Sequence, residues 1–252
     1  MNILAFFAHP DDESMLCGGT LALFSRQGAR VSYLCATHGE GGELGEPPLC
    51  TREQVAEVRS AELACAVHAL GGARLDFLNY IDPLVSPQDE LYAFEADFET
   101  LVNQIVSVLL EGEINYLVTH GSNGEYGHPA HLLVHQAAIQ AVQRLPLPGI
   151  GLYTVQACFA GHPKPRLANR DDPADFIIDV EPLREQKTRA ALCHRTQHAL
   201  FIRRTSQNLG RQVSVPEVVS GVESLHRVRA GAPHASRDTL TTLLQDSGLL
   251  IE

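Results

Sequence analysis

Short apolar runs of strand length alternate with longer amphipathic stretches along this chain, and no repeat of fixed period interrupts them. That alternation specifies βα units, because a strand, a crossover helix and a second strand pack only as a parallel pair with the helix on one face. Residues 3–8, 30–36, 75–80 and 115–119 read as strands. Helices are expected over about 14–27, from Thr51 to near Leu70-Gly71, over about 94–110, and from the loop 120–129 to about Arg144. Gly28 and Gly71 suit helix ends, and Thr51-x-x-Gln54 suits a helix start. Further on, 151–157 and 176–180 read as strands, and 181–195 as a helix with Pro182 at its start. The expected fold class is α/β, a three-layer α/β/α arrangement around a mostly parallel, doubly wound sheet. A chain of 252 residues with 44% hydrophobic residues buries enough surface for one domain with a full core and no staples.

The charge balance narrows the partners. Nineteen basic and 30 acidic residues give a net charge of −11, and no dense Lys/Arg run is present to bind nucleic acid or an anionic membrane surface. A small molecule is the expected partner, and a homo-oligomer is compatible with the sequence. Residues 2–8 lack a basic flank and are broken by His9-Pro10-Asp11, so they read as neither a signal peptide nor a membrane span. The six cysteines, Cys17, Cys35, Cys50, Cys65, Cys158 and Cys193, form no Cys-x-x-Cys pair and are read as reduced, buried thiols in a cytoplasmic protein.

In a doubly wound sheet, loops leaving neighbouring strand ends meet at a switch point, with strand one beside strand three or strand four. Two such loops are chemically rich. The first, Ala8-His9-Pro10-Asp11-Asp12-Glu13, opens a helix, and His9 and Asp12 can turn toward one point; proline and acids there also complement the helix dipole with no further role. The second, from Gly121 to His131, carries Asn123, Glu125, Tyr126, His128 and His131 into another helix start. Together they offer His9, Asp12 and His131 to one ion, and two imidazoles with one carboxylate and an open fourth position form a catalytic rather than a structural zinc set. Zinc lowers the pKa of bound water to about 7, and Asp11 is placed to take the proton. His128, with Tyr126 assisting, is the candidate donor to a developing oxyanion.

The pair of motifs Ala8-His9-Pro10-Asp11-Asp12-Glu13 and Tyr126-Gly127-His128-Pro129-x-His131 resembles the PIG-L/LmbE-like zinc deacetylase family. The likeness continues through Thr37-x-Gly39-Glu40-x-Gly42, Arg59-x-x-Glu62, and more loosely Lys187-x-x-x-Ala191-x-x-His194-x-Thr196-Gln197. It covers residues 1–197 best and leaves 198–252 as an extension of the same domain. The resemblance implies a Rossmann-like α/β fold and metal-dependent removal of an N-acetyl group from an N-acetylglucosamine-type substrate. It also implies one zinc ion per chain, or another divalent metal, on His9, Asp12 and His131. Asp11 would be the general base and His128 the electrophilic or acid group, with Arg59, Tyr126 and Asn123 as substrate contacts.

One departure bears on rate. The family usually reads His-Pro-Asp-His, whereas Ala130 stands here in place of the aspartate that would hold the first histidine, so His128 is expected to be less basic or to find another partner. Two other functions remain open: hydrolysis of a different amide, such as a thiol conjugate or an antibiotic precursor, and sugar or metal binding without turnover. His135 is a rival ligand on the helical face of His131, although the glutamate of a helical zinc-protease motif is missing. His38, His68, His120, His162 and His194 read as structural or surface groups, with His38 and His120 close enough to the motifs to line a site mouth. The glycine cluster at 39–42 lacks nucleotide-binding spacing and reads as a mobile rim. Arg203, Arg204, Arg227 and Arg229 read as solvated.

Overall fold

The computed structural model describes residues 1–88, 90–145, 149–229 and 239–251. The elements run β1 (Asn2–Phe7), α1 (Asp12–Arg26), β2 (Arg30–Thr37), α2 (Val55–Leu70), β3 (Arg74–Tyr80), α3 (Phe98–Glu111) and β4 (Tyr116–Thr119). A single turn, α4 (Gly124–Gly127), leads into α5 (Pro129–Gln143), then β5 (Gly151–Val155), β6 (Ala157–Cys158), β7 (Asn169–Pro173) and β8 (Phe176–Asp179). The chain ends with α6 (Arg184–Cys193), α7 (His198–Leu209), α8 (Val215–Val218), β9 (Val222–Arg229) and α9 (Thr239–Asp246).

Seven strands form one sheet in the order β3-β2-β1-β4-β5-β9-β8. The first five are parallel, while β9 runs antiparallel to both β5 and β8. β1 shows why the sheet is covered on both faces. Its alternate residues Ile3, Ala5 and Phe7 join one core with Leu21, Phe24, Leu63, Leu70 and Ala190, from α1, α2 and α6. Leu4, Phe6 and Ala8 join the other, with Leu101, Ile105, Val134 and Ala138 from α3 and α5. The side-chain period of two in a strand makes an unbroken apolar run serve two helical layers at once. The result is the expected three-layer α/β/α domain. After β3 the chain returns to the far side of β1 to form β4, so the switch point lies between the carboxyl ends of β1 and β4.

Several expectations need correction. α3 starts at Phe98 rather than near 94, because the Asp97 carboxylate accepts the Thr100 N–H at 2.8 Å and caps the helix there. The strand expected over 151–157 ends at Val155, where Gln156 takes φ 54° and diverts the chain into β6. β9 has no counterpart in the sequence reading. It is part of the main sheet, and Arg227 and Arg229 belong to it: Arg227 lies over the Phe176 ring, and Arg229 donates to the Val142 carbonyl at 2.7 Å. The buried Lys187–Glu223 pair, 2.7 Å apart, ties α6 to β9, and Glu223 also accepts the Gly19 and Thr20 N–H groups of α1.

The cysteines divide. Cys65 on α2 and Cys193 at the end of α6 form a disulfide, with Cα atoms 5.8 Å apart, so neither is the reduced thiol expected. Their 128-residue separation hides the pairing until α2 packs on α6. Cys17 and Cys35 are free and buried; Cys50 and Cys158 are free and half-buried.

Candidate metal centre

The loops after β1 and β4 meet because Phe6 is paired with Thr119 at the ends of those strands. They bring His9, Asp12 and His131 together, all buried. His9 Nδ1 lies 3.3 Å from His131 Nε2 and 3.5 Å from Asp12 Oδ2, and His131 Nε2 lies 3.4 Å from Asp12 Oδ1. Ligands of a tetrahedral ion with bonds of about 2.0–2.1 Å stand roughly 3.3–3.4 Å apart, a separation close to that between the two imidazole nitrogens and to that between each of them and one Asp12 oxygen, Oδ2 for His9 and Oδ1 for His131.

The donor chemistry fits as well. His131 Nδ1 and Glu125 Oε2 are 2.6 Å apart, which directs the Nε2 lone pair into the cluster in the way a carboxylate orients a metal-bound imidazole. The Asp12 carboxylate accepts the His9 N–H at 3.0 Å. Electrostatics favour a cation at this point. Burial works against charge on His9, yet Asp82 and Asp12 outweigh it and push its pKa up to about 10. Burial would raise Asp12, but His131 and His120 hold it well below the usual carboxylate range. His9 Nε2 is buried and lacks a properly aligned hydrogen bond, although Asp82 Oδ1 is only 3.2 Å away.

Asp11 stands at the edge of the cluster in a left-handed backbone, φ 117° and ψ −25°. Its carboxylate receives Arg59 Nη2 at 3.2 Å. Burial pushes the Asp11 pKa up to about 7, against the pull of Arg59; the charge of a bound cation would lower it. His128 lies over the cluster, its ring centroid 4.5 Å from that of His131 and 4.7 Å from that of His9. Its Nδ1 accepts the Ala130 N–H at 3.2 Å, which leaves the proton on Nε2. Burial and the neighbouring His9 hold its pKa down to about 3. Ala130 thus replaces an aspartate side chain with its own backbone N–H, and His128 becomes a neutral donor. Tyr126 is half exposed and meets His128 and His131 edge-on at 5.7 and 5.6 Å.

Two other predicted contacts are placed differently. Arg59 is buried, and its guanidinium donates to the Pro10 and Gly39 carbonyls as well as to Asp11, so it braces the loop and Asp11. The Asn123 amide donates to the Asp171 carboxylate at 2.7 Å and accepts the Asp171 N–H at 3.0 Å, pinning the second loop to β7. The glycine cluster is closely packed. A side chain at Gly39 or Gly42 would collide with the Arg59 guanidinium. Arg52 donates to the Glu40 and Gly42 carbonyls, and Arg203, though solvated, holds Glu43 and Glu46.

Sequence reasoning gave no role to two groups that face the cluster, Asp82 and Glu125, and placed a third, His120, only at the mouth. Asp82 comes from the loop after β3, two strands away from β1, and no local pattern marks it. Glu125 sits inside the second motif and contacts His120, His131 and the Gly121 N–H; its spacing from His131 was the available signal. His120 stacks on His131 at 3.9 Å. With Asp12 and His131 it forms one of two compact groups able to hold a metal ion, the other being His9, His128 and His131, but its Nε2 already accepts the Ala8 N–H at 3.0 Å. The rival ligand His135 uses its Nδ1 on the His120 carbonyl at 2.9 Å. His38 sits between Ser60 and Asn79 and stacks on Phe77.

A doubly wound α/β domain with a buried cluster of His9, Asp12 and His131 at its switch point is the class these features define. The PIG-L family, described as GlcNAc-PI de-N-acetylase, matches residues 4–142, and the chain belongs to that family. It is 37% identical over 154 residues to a 1D-myo-inositol 2-acetamido-2-deoxy-alpha-D-glucopyranoside deacetylase of Catenulispora acidiphila, covering 56% of this chain and 48% of that protein. With the protein so named from Saccharomonospora viridis it shares 31% over 226 residues, 77% of this chain and 84% of the other. The chain spans about half the length of the first curated relatives it matches. Among solved structures, N,N'-diacetylchitobiose deacetylase from Pyrococcus horikoshii superposes with a TM-score of 0.61 at 19% identity, over 90% of this chain and 83% of that one. A 4-carboxy-2-hydroxymuconate hydratase from Pseudomonas putida gives 0.61 at 19%, over 94% and 99%. These two share the fold.

Proposed function

We propose that this chain is a zinc-dependent hydrolase that removes the N-acetyl group from an N-acetylglucosamine-type substrate, releasing acetate and a free amine. The observation that carries the reading is the triangle of His9 Nδ1, Asp12 and His131 Nε2, with the Asp11 carboxylate at its edge. His9, Asp12 and His131 would hold one zinc ion, or another divalent metal, per chain. Bound there, the ion supplies Lewis acidity and makes water nucleophilic near neutral pH.

The chain's own groups account for the proton movements. Asp11, aimed by Arg59, takes a proton from the attacking water and returns it to the leaving nitrogen. His128 Nε2–H donates a hydrogen bond to the amide oxygen as negative charge builds there, a role a neutral imidazole fills as a dipole rather than as a cation. Tyr126, at the opening, contacts the sugar. The names of the inositol-linked relatives and the GlcNAc description of the family support the substrate class.

Among the described residues no helix is long and apolar enough to cross a membrane. A cytoplasmic location belongs to the same proposal, although the Cys65–Cys193 bond is of a kind that the thiol pool there acts to reduce. The test is an acetate-release screen with zinc-loaded protein over N-acetylated sugars, with thiol-conjugate and antibiotic-precursor amides alongside. Turnover of the sugars supports the reading; turnover of the other amides alone transfers the chemistry to a different substrate. Binding without release of acetate from any of them would make the site a recognition pocket.

A further inference from the structure

Behind Asp11 lies a second buried cluster, made from the helix that Asp11 opens and from a segment 180 residues later. Glu13 Oε2 accepts the Asp11 backbone N–H at 3.0 Å. The other oxygen, Oε1, accepts the Ser14 hydroxyl and lies 2.8 Å from His194 Nε2. Glu13 and His194 are both buried, the latter completely. His194 Nδ1 has no hydrogen-bond partner, so the ring makes its polar contacts, with Glu13 and at 3.4 Å with the Ser14 hydroxyl, through Nε2 alone and leaves its second nitrogen unsatisfied in the core, where an apolar residue would pack without that cost.

The segment carrying His194 is fixed from several sides. Cys193 is bonded to Cys65. Thr196 donates its N–H and its hydroxyl to the two oxygens of Glu62, at 2.9 and 2.7 Å. Gln197 donates to the Glu43 carbonyl at 2.9 Å. These contacts hold the imidazole against Glu13, and Glu13 in turn grips the N–H of a residue whose backbone is left-handed, a conformation that a non-glycine residue keeps only when its surroundings enforce it.

We infer that His194 is a positioning residue: through Glu13 it locks the backbone of Asp11 and so aims the carboxylate that acts as base. The inference rests on the reading of Asp11 as that base. It gives the loosely matched late motif a role in the site, although none of its residues touches the cluster of ligands.

Two substitutions of similar volume separate this from a packing role. His194→Gln keeps a donor to Glu13, whereas His194→Leu removes it; if the leucine variant does not fold, the more adaptable His194→Met takes its place. The expected result for the leucine variant is a kcat about tenfold lower with KM within about twofold, and for the glutamine variant a kcat within about threefold of wild type. Zinc content stays at one per chain in both. In an Asp11→Asn background the leucine substitution costs less than about twofold, because the group it positions is already gone. Crystal structures of the same variants give a readout independent of turnover: Asp11 leaves its left-handed conformation in His194→Leu and keeps it in His194→Gln. Equal losses in both backgrounds, or Asp11 unmoved in the leucine variant, would overturn the inference. A wild-type protein that releases no acetate removes the proposed function, while the position of Asp11 in the variants still decides whether His194 holds it.

Discussion

The two loops that build the site are held in different ways. The loop after β4 carries a brace of its own, since Glu125 binds His120, His131 and the Gly121 N–H within six residues of itself, and it has one remote anchor, β7, through Asn169, Asp171 and Asp172. The loop after β1 is held from a distance, by Arg59 of α2, Asp82 of the loop after β3, and the Glu13–His194 contact. The self-braced loop supplies a ligand and a hydrogen-bond donor. The remotely braced one also supplies the reacting carboxylate, on a strained backbone. The aim of His131 is therefore set locally by Glu125, while His9, Asp12 and the base share a loop whose geometry depends on the packing of the whole α/β sandwich.

The sharpest way to break this division is to remove a residue from each loop. His131→Ala should lose zinc, falling from one ion per chain to near zero by elemental analysis and abolishing acetate release, because two protein ligands make a poor zinc site. Asp11→Asn should keep its zinc and lower kcat by about 10²–10⁴. Glu125→Gln, which loosens the local brace, should weaken zinc affinity by about 10–100-fold in a chelator competition, with kcat recovering once zinc is saturating. Arg59→Gln should act on the other side of the comparison. Arg59 pulls the Asp11 pKa down, so its removal raises that pKa, and the acid limb of kcat/KM should move to higher pH by about one unit. A Glu125 variant that lost kcat at saturating zinc, or an Arg59 variant that lost zinc, would merge the two regions into one.

The same division explains what could be read in the sequence. The five parallel strands and their crossover helices are written in period and length, since a two-faced apolar strand such as residues 2–7 has few other uses. The ligands were legible because they lie in short motifs at strand ends. Their surroundings were not: Asp82 and His194 reach the site through tertiary contacts, and while the late motif marks the segment of His194, nothing in the chain marks its contact with Glu13 or the part of Asp82. Arg59 was visible but assigned outward to substrate, because only the packed structure shows the Pro10 and Gly39 carbonyls on its guanidinium. The Cys65–Cys193 bond and β9 escaped for the same reason, as their partners are far away in sequence.

The most direct test of the account is an anomalous-difference map from a crystal grown with zinc and measured at the zinc edge. The account predicts a single peak about 2.0–2.2 Å from His9 Nδ1, an Asp12 oxygen and His131 Nε2. A peak bonded instead to His120 or His135, or no peak among these three side chains, would contradict it.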